Sequence, residues 1–148
     1  MRIVETVDID AAPEAVWRVL TEFGEYASWN PFIVACASTL VPGDPIDMHV
    51  RLGPGEPREQ REWITSYAAG AGFAYSMKPI PFGALRSHRS HEIVPLGDGR
   101  SRYTSRFEVH GWLAPLVVAM QGAALRRGFA GMTDGLRRRA ETLAAGEG

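Results

Sequence analysis

The sequence predicts an α+β fold, an antiparallel sheet with its helices segregated to one side. Three observations carry this expectation. An alternating segment at the start runs into a proline-started helix, residues 33 to 110 form a succession of period-two segments separated by turn chemistry, and from about Ala114 the period becomes helical and stays so. A doubly wound fold would instead alternate strand and helix along the whole chain.

Residues 2 to 9, RIVETVDI, place Ile3, Glu5, Val7 and Ile9 on one face and Val4, Thr6 and Asp8 on the other, the pattern of a strand. Pro13 at a first helical position, followed by Glu14, suits a helix start. Val16, Val19, Leu20 and Phe23 then follow i, i+3, i+4, i+7, with Gly24 expected to end the helix. A short turn, EYASWNPF, leads to an apolar run at 33 to 40 and a strand at 45 to 52. There Ile46, Met48, Val50 and Leu52 share one face, while Asp47, His49 and Arg51 share the face expected to meet solvent. After the turn GPGEP, strands are expected at 58 to 68, 72 to 78, 85 to 95 and 100 to 110. The last two are joined by LGDGR, whose Asp-Gly supplies the positive φ angles of a tight hairpin.

In the final segment Leu125, Phe129, Met132, Leu136, Ala140 and Leu143 recur at helical spacing, and a helix of about 30 residues is roughly 45 Å long. Its polar arc, with Arg126, Asp134, Arg137 and Glu141, is expected to be solvated. Gly128, Gly131 and Gly135 fall in one stripe beside the apolar one, each costing about 1 kcal/mol against alanine in a helix. Either the sheet approaches closely there, or room is left beside the helix for a ligand. The last residues, from about 145, are expected to fray.

Bulk properties narrow the partners. The length, 148 residues, suits one domain spanning 1–148. Sixteen basic against seventeen acidic residues leave a net charge of −1, so no global field attracts nucleic acid or anionic lipid. No stretch approaches the roughly 20 apolar residues that cross a bilayer, and the opening MRIVETVDID lacks the apolar core of a signal peptide. The single cysteine, Cys36, has no second thiol for a disulfide or a CxxC pattern, and it reads as a small buried hydrophobe. The expected compartment is the cytoplasm, and the expected partner is a small molecule or a protein, without nucleic acid and without membrane insertion.

The stretch PEAVWRVLTEFGEYASWNPF at 13 to 32 resembles the START-like superfamily of helix-grip proteins, which includes polyketide cyclases and dehydrases, lipid-transfer domains and birch-pollen-allergen-like proteins. The resemblance continues through EIVPLGDGRSRYTSRFEVHGWLAPLV at 92 to 117 and GFAGMTDGLRRRAETL at 128 to 143. It implies a curved seven-stranded antiparallel sheet wrapped around the long C-terminal helix, with two short helices after the first strand. It also implies a cavity for a hydrophobic or amphipathic molecule, with no cofactor. Trp29 to Phe32, the WNPF stretch, reads first as a packed turn, because Pro31 drives Asn30 away from helical angles. Direct ligand contact is the other reading.

The candidate site follows from which faces point inward. In the last strand Tyr103, Ser105, Phe107 and Val109 form the inward set; many relatives carry histidine and glutamate where Ser105 and Phe107 stand, so that polar pair is not carried over. In RSHRSHE, residues 86 to 92, alternation separates Arg86, His88 and Glu92 from Arg89 and His91, and the resemblance, which aligns Ile93 with an inward apolar position, implies that Arg89 and His91 form the inner set. The two histidines therefore cannot share a metal ion, and no metal site is expected. Arg89 suits a substrate carboxylate or enolate, unless Glu5 pairs with it. His91 suits a general acid or base, unless it is a hydrogen-bonded internal group. Tyr75 completes the catalytic candidates. Trp63, Tyr67, Phe73, Met77, Tyr103, Ser105, Phe107, Phe129 and Met132 are the expected lining.

Three functions fit. The first is a pocket protein that carries, senses or sequesters a polyketide-like, aromatic or lipid molecule. The second is a cofactor-independent cyclase or dehydrase of aromatase type, and the third is a chaperone-interaction module. A GxSxG elbow, a phosphate-cradling loop and a dinucleotide fingerprint are all missing from the sequence.

Overall fold

Period-two alternation becomes ladder pairing in the computed structural model, which describes residues 1–147. Strand β1 (Arg2–Ile9) buries Ile3 and Ile9 and pairs along its whole length with β7 (Arg100–His110). Between them in sequence lie β2 (Ile33–Ser38), β3 (Pro45–Val50), β4 (Arg58–Ala68), β5 (Gly72–Ser76) and β6 (Arg86–Gly97). All neighbours are antiparallel, in the order β1-β7-β6-β5-β4-β3-β2, so first and second strands form opposite edges of a curved seven-stranded sheet. Register shifts in β2, β4 and β6 add bend. The β6–β7 turn has φ of 85°, 53° and 71° at Gly97, Asp98 and Gly99, the left-handed backbone that the Asp-Gly pair foretold.

Helix α1 (Pro13–Thr21) starts at its proline and buries Val16, Val19 and Leu20. It stops at Thr21, not at Gly24. Gly24 lies in a following 3₁₀ turn, Phe23–Glu25, and the Glu22 N–H closes α1 by donating to the Arg18 carbonyl at 2.9 Å. Helix α2 (Tyr26–Trp29) ends where Asn30 turns extended ahead of Pro31, with φ −99° and ψ 106°. The Asn30 side-chain oxygen then accepts from the Phe32 and Ile33 N–H groups at 3.0 and 2.9 Å, fixing the entry into β2.

Helix α3 (Ala114–Glu147) has 34 residues, so it runs roughly 51 Å. It reaches Glu147, and Gly148, the end of the tail expected to fray, lies outside the described residues. Leu125, Phe129, Met132, Leu136 and Ala140 are buried against the sheet and α1. The polar arc does more than meet solvent: Arg137 bridges Asp134 and Glu141, and Glu141 also accepts from the Asp10 N–H at 3.0 Å, tying α3 to the end of β1.

The glycine stripe is a close-packing surface. A Cβ on Gly128 would overlap the Phe32 ring, one on Gly131 would lie 3.1 Å from Pro31, and one on Gly135 would lie 2.5 Å from the Trp29 carbonyl oxygen. The WNPF turn therefore seats on the three glycines, and two motifs 100 residues apart in the sequence explain each other.

Candidate functional site

One end of the grip is filled. Trp17 and Phe23 reach under the sheet from α1 and the 3₁₀ turn and pack edge-on against Phe73, and Trp17 also meets Tyr67. The other end, beneath the N-terminal half of α3, is open and holds a cavity of about 580 Å³, within the usual range for small-molecule sites. Ile33, Met48 and Val50 from β2 and β3 and Leu125 and Phe129 from α3 form its apolar walls. Strands β4 to β6 supply a polar wall of Gln60, Glu62, Tyr75 and Arg89.

The expected lining separates accordingly. Tyr75, Met77, Arg89, Phe107, Phe129 and Trp63 line the cavity. Phe73, His91, Tyr103, Ser105 and Met132 do not line it: all five are buried, Phe73 with His91 and Tyr103 in the packed half, and Ser105 and Met132 directly behind Arg89. Tyr67 is 44% exposed on the rim of that packing. In β4 a register shift between Ile64 and Ser66 breaks the alternation: Glu62 and Ile64 share the inner face with Tyr67, which pairs with Phe73 and packs against Trp17, whereas Trp63, although it borders the cavity, pairs with Ser76 in the opposite phase. Glu62, only 6% exposed, is the site residue that the sequence reading missed. Its place two positions from the apolar Ile64 was the available signal.

Arg89 is the electrostatic centre of the cavity. It is 3% exposed, and no carboxylate pairs with it among the described residues. Glu5, its expected alternative partner, is not among its hydrogen-bond or ion-pair partners in the described residues. Instead Nη1 donates to the Tyr75 hydroxyl at 3.4 Å, and Nη2 donates to Ser105 Oγ at 3.2 Å and Met132 Sδ at 3.3 Å. The guanidinium lies 4.4 Å from the centre of the Phe129 ring, and Nε has no hydrogen-bond partner. All these partners are neutral, so a full charge is held in a largely apolar space with a donor to spare. Burial keeps the Tyr75 hydroxyl protonated well above neutral pH, despite Arg89 beside it. Burial likewise pushes the Cys36 thiol up to about 12, which leaves it an unreactive hydrophobe.

His91 stands behind this wall. Its Nδ1 shares a 2.6 Å hydrogen bond with the Tyr103 hydroxyl, and its ring packs against Phe73 at 4.8 Å between centroids. Burial first, then the nearby Arg89 charge, hold its pKa well below the usual imidazole value of 6.5. The unfolded chain takes up this proton near pH 6.5 and the folded chain only at lower pH. The stabilisation is therefore complete above about 6.5 and is lost as pH falls toward and through the folded value. In thermal melts at stepped pH between about 7.5 and 5, His91→Phe should lose less stability than the wild type; equal losses would contradict a buried neutral imidazole. His88 faces outward and bonds Ser76 Oγ at 2.7 Å, on the opposite side of the sheet from His91.

A curved antiparallel sheet closed around one long helix, with a cavity between them, defines a helix-grip protein. The chain belongs to the family described as polyketide cyclase / dehydrase and lipid transport, whose model matches residues 1–143. A START superfamily protein from Mycobacterium smegmatis has a similar structure, with TM-score 0.68, 20% identity, and 96% of this chain and 98% of that one covered. The Zhui aromatase/cyclase from Streptomyces sp. R1128 gives TM-score 0.75 at 18% identity, covering 95% of this chain and 93% of that one. Norcoclaurine synthase from Thalictrum flavum, in complex with dopamine and hydroxybenzaldehyde, gives 0.66 at 18% identity, with 93% and 84% covered. At these identities the likeness is one of fold. A comparison with curated protein sequences finds no match. Among the described residues no helix is long and apolar enough to cross a membrane.

Proposed function

We propose that the protein binds an amphipathic, polyketide-like or aromatic small molecule in this cavity, with an anionic or enolic oxygen of the ligand at Arg89. The observation that carries the reading is the buried guanidinium with neutral partners only and an unused Nε donor. Leaving such a charge unpaired is costly, and a ligand oxygen supplies the missing acceptor. The apolar walls from β2, β3 and α3 would hold the body of the molecule.

Titration calorimetry with 2-naphthoate and its neutral counterpart 2-naphthalenemethanol tests this. The acid should bind at least about tenfold more tightly, the value of one charge-assisted hydrogen bond, and should raise the melting temperature. Equal affinity for acid and alcohol would contradict an anion site at Arg89.

A second reading, a cofactor-independent cyclase or dehydrase, is supported by the Arg89 and Tyr75 pair. Two adjacent donors on one wall, one of them charged, suit a developing enolate. The two readings separate on whether the natural ligand is recovered unchanged. Both readings leave out His91, whose hydrogen bond to Tyr103 holds it behind the wall.

A further inference from the structure

Arg58, Arg61 and Lys78 border the cavity as exposed cations, whereas Glu62 is a buried carboxylate in it that the reading above leaves idle. Its Oε2 accepts from Gln60 Nε2 at 2.5 Å, and no other donor reaches the carboxylate among the described residues. A carboxylate offers about four acceptor positions, so most of this capacity is unused on a side chain that is 6% exposed and lines the cavity. Burial raises its pKa, while the Gln60 hydrogen bond and the Arg89 charge act against that rise. Arg89 nevertheless does not pair with it. Tyr75, on the strand between them, is paired across the ladder with Arg89 on one side and Ile64 on the other, and its hydroxyl lies within the field of both charges.

Two opposite charges on one wall, sharing a cavity without touching, leave a space that a ligand with both an acceptor and a donor can bridge. We propose that Glu62 is the second polar subsite and accepts a hydrogen bond from a ligand hydroxyl, so that the ligand class is a hydroxylated aromatic or polyketide-like acid. Its anionic oxygen meets Arg89, its hydroxyl meets Glu62, and its flat body lies between Met48 and Val50 on one side and Phe129 on the other. This assignment rests on the Arg89 reading. It deepens that reading by specifying donor as well as acceptor chemistry.

The probes are 2-naphthoate and the set of its monohydroxy isomers, titrated into the wild type, Glu62→Leu and Glu62→Gln. At least one isomer should bind the wild type about tenfold more tightly than the parent, as a hydrogen bond to a charged acceptor provides. In Glu62→Leu the ratio of the two affinities should fall to about one. Leucine in place of a buried carboxylate is compatible with folding, and Glu62→Gln, which keeps one acceptor oxygen and the shape, should lower the ratio only in part. If the parent binds but no isomer gains, or if both variants retain the wild-type ratio, the Glu62 assignment falls alone. If 2-naphthoate does not bind the wild type, the Arg89 reading falls and this one with it.

Discussion

Arg89→Leu is expected to lower affinity for 2-naphthoate by about a hundredfold or more, while changing the stability of the protein by no more than about 2 kcal/mol in either direction. The loss follows from removing the one buried cation of the cavity among the described residues, whose charge-assisted hydrogen bonds are worth roughly 1.5 to 3 kcal/mol each. The stability side runs the other way. Replacing a poorly compensated buried charge by an apolar side chain of similar size is often neutral or stabilising by about 1 to 4 kcal/mol. Against this stands the loss of the stacking over Phe129 and the weak bonds to Tyr75, Ser105 and Met132. The cation–π part is worth about 2 kcal/mol when desolvated. A net change between about 1 kcal/mol of lost and about 2 kcal/mol of added stability is therefore expected. Chemical denaturation and calorimetry on the same variant read both quantities. A destabilisation beyond about 3 kcal/mol would mark Arg89 as a structural group, whose removal breaks a satisfied network.

Gly135→Ala should be strongly destabilising, against the ordinary helix rule. In an exposed helix interior the same exchange gains about 1 kcal/mol. Here the new methyl group would meet the Trp29 carbonyl oxygen at 2.5 Å, and that oxygen belongs to backbone held by α2 and the Asn30 turn. Overpacking of this kind costs about 1 to 3 kcal/mol after relaxation, and for a chain of this size about 2 kcal/mol lowers the melting temperature by roughly 4 to 8 °C. Gly131→Ala, which meets only the ring edge of Pro31 at 3.1 Å, is the milder comparison. Equal behaviour of the two variants in thermal unfolding would contradict the seating of the WNPF turn on the glycine stripe.

These two positions also mark what the sequence could reveal. Gly135 stood out because three glycines in one helical stripe are expensive, yet periodicity could not choose between close packing and ligand room. The choice lay in contacts with Trp29, Pro31 and Phe32, which are long-range and invisible to local pattern. Arg89 and His91 are buried, as expected from the inward position that the resemblance gives Ile93 and from the uninterrupted alternation of β6 from Arg86 to Ile93. Their different fates depend on the sheet's curvature and on how far α1 and the 3₁₀ turn intrude, which place His91 in the packed half and Arg89 in the open half. In β4 the reading failed for a local reason. Trp63 and Tyr67, four apart, read as one set, but a bulge between them puts the two on opposite faces and leaves the buried Glu62 in phase with Ile64.

The cavity account rests on where an acidic ligand places its charge. A crystal structure with 2-naphthoate bound provides the most direct measurement. The account predicts the carboxylate at hydrogen-bond distance, about 3 Å, from Arg89 Nε or Nη atoms, with the rings between β3 and Phe129. A carboxylate bound elsewhere, or an Arg89 that turns to pair with Glu62 in the complex, would contradict it.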